Sequence, residues 1–335
     1  MSKIAFVFAG QGAQKPGMGK ELYEGFPEAK AVFDAVELKR PGTLSLCFEG
    51  EQEDLNLTIN TQPCLFAVDL ACARALESMG VSAEGAAGFS LGEIPALAYC
   101  GLLSEADALE LVMTRATAMH QAGNQSQGEM YAVLKLLDTE VEAICKTVKD
   151  VWPVNYNFSR QTVVACTAQA GPELVEKLTA AGGDCRKLRV SGAFHSPLMA
   201  PAAEAVKEKV SQLNFEAPEI PLYANATAKV YGSPAATRIS ASTDNPETLA
   251  FAYNPESPAS TDNPADLIVE QITHPVQWKK TIENMISDGF DTFIEVGAGR
   301  ALSGLIRKIN PEVKTFNVSD MMTLQSTITE VTSGK

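Results

Sequence analysis

An α/β fold, with a mainly parallel sheet and a small α+β unit set into it, is predicted by three features of the chain. Strand-like and helical segments alternate from residue 4 to about residue 120. The pentapeptide Gly88-Phe89-Ser90-Leu91-Gly92 has the spacing of a sharp turn from strand to helix. Residues 129–190 read strand, helix, strand, strand, helix, strand, the order of a ferredoxin-like βαββαβ unit.

The elements follow in order. Met1–Phe8 ends in an apolar run of strand character, and Pro63–Met79 is a long apolar helix. Gly85-Ala86-Ala87 is a weakly apolar strand whose end is marked by Gly88–Ser90. A helical pattern continues through Leu91, Ile94, Leu97 and Ala98. Ser104–His120 is an amphipathic helix, with Ser104 as N-cap and Glu105 and Asp107 in its first turn, where the helix dipole favours acids. Gln121–Gly128 is polar and marks a change of character.

In the inserted unit, 129–190, the strands are Met130–Lys135, Val151–Asn157, Gln161–Thr167 and Asp184–Val190. Its helices are Thr139–Val148 and Gly171–Ala181. The large domain therefore comprises 1–128 and 191–335. Residues 231–265 are rich in Ser, Thr, Asn and Pro, contain Ser-Thr-Asp-Asn-Pro twice, and read as a long surface loop. Beyond Asp266 come a helix, a strand Thr292–Val296, and a Gly297-Ala298-Gly299 turn into another helix. Such a turn can bind a phosphate, but tight packing between strand and helix is the preferred reading.

Composition narrows the function. A length of 335 residues suits one large domain with an insert, or two domains. A net charge of −14 argues against DNA or RNA as a partner. No apolar stretch approaches membrane-spanning length, and the first strand is too short for an export signal, so a cytoplasmic protein is expected. The seven cysteines form no C-x-x-C pair and read as reduced, buried small residues, with no metal site.

Ser90 needs a base to become a nucleophile. The chain offers three histidines. His120 closes a predicted surface helix, and His274, followed by Pro275, reads as a capping or loop residue. His195 follows an apolar strand-like run and precedes a helix that can start at Pro197, a place where α/β folds put catalytic groups. It is the favoured base. Arg115 lies among largely apolar neighbours on the Ser104 helix and requires an anion, either a bound carboxylate or an internal Glu or Asp. Gly10-Gln11-Gly12 directly follows the first strand, so the Gln11 N–H can join that of Leu91 as an oxyanion donor; a simple Gly-rich βα turn is the other reading.

Together these motifs resemble the malonyl-CoA:acyl carrier protein transacylases and the acyltransferase domains of polyketide synthases. The resemblance covers nearly the whole chain. It runs from Phe8-Ala9-Gly10-Gln11-Gly12 and Thr61-Gln62-Pro63, through Gly88–Glu93 and Arg115, to Gly192-Ala193-Phe194-His195-Ser196-Pro197. It continues with Asn225-Ala226-Thr227-Ala228, Gln271, Pro275-Val276-Gln277-Trp278 and Glu295–Gly299.

This resemblance implies an α/β-hydrolase-like large domain with a ferredoxin-like insert. It implies Ser90 as acyl-carrying nucleophile, His195 as general base and then acid, and the N–H groups of Gln11 and Leu91 as oxyanion hole. It implies Arg115 as the partner of malonate's free carboxylate, and the backbone carbonyl of Gln271 as the group that orients His195. Gln62, Asn155 and Asn157 are expected near the substrate. Phe194 is expected to exclude an α-methyl group. No cofactor is implied, since the CoA thioester is itself the substrate. The partners are malonyl-CoA and an acidic acyl carrier protein, with Arg186, Lys187 and Arg189 as candidate docking residues and Lys279-Lys280 and Arg307-Lys308 as further basic clusters. A monomer is expected.

One departure stands out: the position before the serine is usually His in that family and is Phe89 here. Two other readings compete. A serine esterase needs an acid between serine and histidine in chain order; Asp138 and Glu173 are available by order, yet both lie in the insert. A non-enzymatic carrier-binding scaffold would need no working Ser90.

Overall fold

The computed structural model describes residues 2–232 and 263–333. The predicted 231–265 loop therefore lies outside the described residues except at its two ends. Nine strands are described: β1 Ile4–Phe8, β2 Gly85–Gly88, β3 Gly128–Leu134, β4 Val151–Phe158, β5 Gln161–Thr167, β6 Asp184–Lys187, β7 Leu222–Tyr223, β8 Thr292–Val296 and β9 Lys314–Val318.

Five of them form a parallel sheet in the order β7-β2-β1-β8-β9. The central strand β1 is buried along its whole length, as expected where helices cover both faces. Its side chains alternate between two cores. Phe6 and Phe8 face Tyr99, with ring centroids 5.3 and 5.5 Å away. Ala5 and Val7 join the opposite cluster with Trp278, Ile282 and Phe293.

Helix boundaries depart from the sequence reading in two instructive places. The helix expected at Pro63–Met79 runs Thr58–Ser78 and carries Pro63 inside it. The missing proline N–H forgoes one hydrogen bond near the helix start, while Thr61 Oγ1 donates to the Leu55 carbonyl at 2.5 Å and secures that end. The helix expected at Ser104–His120 runs Glu105–Ser126, capped by Ser104, whose Oγ accepts from the Asp107 N–H at 3.0 Å. The polar stretch after His120 stays helical because Ala122 and Gly123 are buried. His120 is thus inside the helix, beside Asn124, and not at its end.

The second sheet has the order β4-β5-β3-β6, and all its pairs are antiparallel. Its helices are Asp138–Cys145 and Gly171–Ala180. Strand β6 stops at Lys187, three residues short of the expected Val190. Beyond it, Leu188 and Val190 turn inward to line the central pocket. The antiparallel sheet is tied to the segment before the helix Trp278–Ser287, where the Tyr156 N–H donates to the Val276 carbonyl at 3.0 Å and the Val276 N–H to the Val154 carbonyl at 2.9 Å. No helix among the described residues is long and apolar enough to cross a membrane. All seven cysteines are free, and six are buried.

The Gly297 turn packs tightly. A side chain there would overlap the Asp69 carboxyl, and φ is +124°. Asp69 is fully buried on the Thr58–Ser78 helix, and neither carboxyl oxygen has a hydrogen-bond partner among the described residues. Burial, reinforced by the nearby Glu295 carboxylate, pushes its pKa well above the ordinary value. The Asp69 carboxyl fills the space against the turn, which makes the turn a packing feature.

The folded state keeps the Asp69 proton where the unfolded chain loses it, so this residue destabilises the protein increasingly as pH rises above about 4. Asp69→Asn should therefore raise Tm more at pH 8 than at pH 4. Calorimetric melts of both proteins across that range check this; a gain independent of pH contradicts it.

Candidate active site

The sharp turn after β2 is built as its glycines require. Phe89 is extended, Ser90 adopts φ 53°, and Ser90–Gly92 form one 3₁₀ turn before the helix Glu93–Tyr99. A side chain on Gly88 would overlap the Gly92 backbone, and one on Gly92 would overlap the Phe8 carbonyl. Positive φ is costly for serine, and the surroundings hold it. Asn225 clamps the turn, accepting from the Ser90 N–H at 2.7 Å and donating to the Gly88 carbonyl at 2.6 Å. The Gln271 side-chain amide donates to the Ser90 carbonyl at 2.7 Å.

His195 is a second left-handed residue, with φ 61°. It is held in the loop before the 3₁₀ turn Pro197–Met199, where Ser196 Oγ donates to the Ala193 carbonyl at 2.6 Å. Its Nε2 lies 2.7 Å from Ser90 Oγ and its Nδ1 2.8 Å from the Gln271 carbonyl oxygen. A carbonyl can only accept, so Nδ1 carries the proton and Nε2 is left to accept from the serine hydroxyl. Burial, with the positive charge of Arg115, lowers the imidazolium pKa to about 4. The ring is therefore neutral at pH 7, the form a general base needs.

Arg115 is 1% exposed. Its Nη1 donates to Gln62 Oε1 at 2.8 Å, and its Nη2 to Gln271 Oε1 at 2.8 Å and to Ser90 Oγ at 3.2 Å. None of these partners is a carboxylate, and Nε has no partner among the described residues. The internal salt bridge is thereby ruled out among them. Burial lowers the guanidinium to about 10, against the opposing pull of the Glu93 carboxylate, so it remains charged.

These groups share one cavity of about 230 Å³, lined also by Gln11, Gln62, Phe89, Asn155, Asn157, Phe194 and Gln161. Every site residue expected from the sequence meets there except two. Leu91 is buried beside Ser90 and offers only its backbone, and Gln271 acts from behind Arg115 and His195. Sequence reasoning missed Gln161 and gave no role to Glu93 or Asn225, although both stood within the motifs quoted. Asn157 Oδ1 and Gln161 Oε1 are buried acceptors without partners among the described residues. Phe89 meets Trp278 edge to face, at 5.4 Å between ring centroids.

The esterase acids lie elsewhere. Asp138 pairs with Lys279 at 2.9 Å and Glu173 with Lys177 at 2.9 Å. Of the docking candidates, Arg186 pairs with Asp184 and Lys187 with Glu129 inside the same unit, while Arg189 is exposed between Leu188 and Val190.

The acyl transferase domain family matches residues 5–321. The chain belongs to that family. Among similar acyl transferases, the malonyl CoA-acyl carrier protein transacylase of Bacillus subtilis is 36% identical, the alignment covering 98% of this chain and 97% of that protein. The Escherichia coli K12 protein of the same name is 32% identical over 92% of this chain and 93% of its own. The crystal structure of the Clostridium perfringens transacylase superposes with a TM-score of 0.87 at 32% identity, covering 99% of this chain and 98% of that one. A malonyl-transacylase solved in complex with its type II PKS acyl-carrier protein gives 0.84 at 28% identity, covering 98% and 100%.

The low pKa of His195 can be checked by titration. In an NMR titration of the three histidine rings, His195 should keep its neutral signature well below pH 6.5 and change near pH 4. A midpoint at or above 6.5 contradicts the buried, Arg115-facing ring.

Proposed function

We propose that this acyl transferase moves a malonyl group from malonyl-CoA to the phosphopantetheine thiol of an acyl carrier protein, through a malonyl ester of Ser90. The observation that carries this reading is Arg115. It is a buried cation with no acidic partner among the described residues, 3.2 Å from the nucleophilic oxygen. Such a group asks for an anionic acyl chain.

His195 Nε2 takes the Ser90 proton as Oγ attacks the thioester carbonyl. The Leu91 and Gln11 N–H groups hold the oxyanion. As it collapses, the C–S bond breaks and the CoA sulfur takes the proton from the imidazolium. The carrier thiol then gives its proton to His195 and attacks the ester carbonyl. The C–O bond to Ser90 breaks, and Oγ is reprotonated. The Gln271 carbonyl stabilises the imidazolium in both halves. No cofactor enters these steps.

Other residues serve the substrate. Gln62 orients Arg115. Asn155 and Asn157, with Gln161, offer the amide groups of the thioester arm polar contacts, and the orphaned oxygens of Asn157 and Gln161 support this. Phe194 crowds the α-carbon, worth about 1–3 kcal/mol against one methyl group. Residues 1–128 and 191–335 serve as an α/β-hydrolase-like catalytic domain. Residues 129–190 form a ferredoxin-like small subdomain, a reading that the order β4-β5-β3-β6 supports. The enzyme works as a cytoplasmic monomer, on a carrier of either fatty acid or polyketide synthesis. That carrier docks on the edge bearing Arg186, Lys187 and Arg189, beside the pocket-lining Leu188 and Val190.

Intact-mass measurement after incubation with malonyl-CoA should show a malonyl adduct on the native protein and none on Ser90→Ala; an adduct on the variant refutes the nucleophile. Arg115→Ala should slow malonyl-ester formation by about 100-fold while sparing or raising acetyl transfer. Equal loss with both donors defeats the carboxylate assignment. Charge reversal at Lys187 and Arg189 together should raise KM for the carrier by about 10-fold and leave KM for malonyl-CoA unchanged. An unaltered carrier KM rejects this docking edge.

A further inference from the structure

We infer that Glu93 is a positioning residue for acyl selection: its carboxylate locks the Gln271 side chain in the one orientation that holds Arg115 for a malonyl carboxylate. This rests on the malonyl reading above. Glu93 opens the helix after Ser90 and is 1% exposed. Its Oε2 accepts from Gln271 Nε2 at 2.6 Å. Its Oε1 accepts from the Asn225 N–H at 2.9 Å and from the Tyr231 hydroxyl at 2.8 Å. It touches neither Ser90, His195 nor Arg115 through a hydrogen bond, yet both of its amide partners do.

The argument is one of donors and acceptors. A glutamine amide fits almost equally well when turned by 180°, exchanging its oxygen and nitrogen. For Gln271 the two orientations are far from equal. Burial pushes the Glu93 carboxyl up to about 7, while the Asn225 N–H, the Tyr231 hydroxyl and Gln271 Nε2 all donate to it and favour the carboxylate, which can only accept; the Arg115 guanidinium can only donate. With Nε2 towards Glu93 and Oε1 towards Arg115, both contacts are satisfied, at 2.6 and 2.8 Å. Turned over, Gln271 would set oxygen against carboxylate and NH₂ against guanidinium, and would lose its donation to the Ser90 carbonyl. Glu93 thus fixes the amide, the amide fixes the guanidinium, and the backbone of the same residue holds His195.

The buried negative charge also favours the buried positive one without touching it, since Glu93 opposes the lowering of Arg115. A carboxylate in direct contact with Arg115 would occupy the place of the malonyl group. One removed by a single amide supports the charge and leaves the free N–H groups for substrate.

The test is a double-mutant cycle read as the malonyl-to-acetyl preference. Formation of each acyl-enzyme is followed by intact mass on the full chain, for the native protein, Glu93→Gln, Gln271→Leu and the double variant. Glu93→Gln keeps the size but must turn an NH₂ towards one of the donors it faces. It should reduce the preference by about 10-fold, mainly through slower malonyl transfer. Gln271→Leu keeps the backbone carbonyl on His195 and should reduce the preference similarly. The double variant should be no worse than Gln271→Leu alone, because Glu93 acts through that side chain. Multiplied losses, or equal slowing of malonyl and acetyl transfer, overturn the proposal. If Glu93→Gln does not fold, as judged by its melting transition, Gln271→Leu decides: a 10-fold fall in preference supports the relay, and an unchanged preference overturns it. A native protein that forms no malonyl ester would instead sink the functional reading.

Discussion

The site is organised around the cost of keeping a guanidinium in a dry pocket without an acid against it. A buried charge normally demands a contacting counter-ion. Here two glutamine oxygens, Gln62 Oε1 and Gln271 Oε1, and the Ser90 hydroxyl take its N–H groups, and the nearest compensating carboxylate stands one amide further away. Much else follows. Burial, with the cation's help, depresses the imidazole and keeps it neutral. The cation also makes a contacting acid behind His195 a competitor for the same charge. A backbone carbonyl orients the imidazole without adding a second anion to the pocket, which is the solution found at Gln271.

The backbone supplies the strain that this arrangement needs. Ser90 and His195 both adopt left-handed conformations, and they approach one another from opposite sides of the pocket. Neither is glycine, so each conformation must be held by its surroundings. Ser90 is held on both its N–H and its carbonyl, by Asn225 and Gln271. These two clamps converge on Glu93. One buried carboxylate therefore ties the turn, the base and the cation together, although it belongs to none of them.

How much of this was legible in the sequence divides along physical lines. Strands Gln161–Thr167 and Thr292–Val296 fall where the apolar runs place them, and Ser104 caps its helix, because these signals are local. Ser90, His195 and Arg115 were legible because each is a residue type that is conspicuous where it stands. The misreadings came where tertiary packing overrode local chemistry. Pro63 looked like a helix start, yet the helix already runs from Thr58. The polar stretch after His120 looked like a break, yet Ala122 and Gly123 bury one of its faces. Strand β6 was drawn too long because Leu188 and Val190 are apolar for the pocket's sake, not for the sheet's. Glu93 and Asn225 were invisible as working residues, since an acid and an amide in a helix and a loop declare nothing until their partners arrive from residues more than a hundred positions away.

Phe89 shows how the same pocket tolerates a change beside its nucleophile. A ring at this position cannot hydrogen-bond, and the buried Trp278 Nε1 next to it has no acceptor among the described residues. That orphaned N–H costs on the order of 1–3 kcal/mol. Against it stand the edge-to-face contact at 5.4 Å and an apolar wall facing Ser90. The wall does more than pack. It lowers the polarity around Arg115, so the attraction between that cation and an incoming anion is screened less than it would be beside a polar side chain. The working groups, Ser90, His195 and Arg115, keep every contact that orients them, none of which passes through residue 89. Phe89 therefore leaves the Trp278 N–H without an acceptor among the described residues, supplies an apolar wall, and leaves the contacts of the catalytic groups untouched.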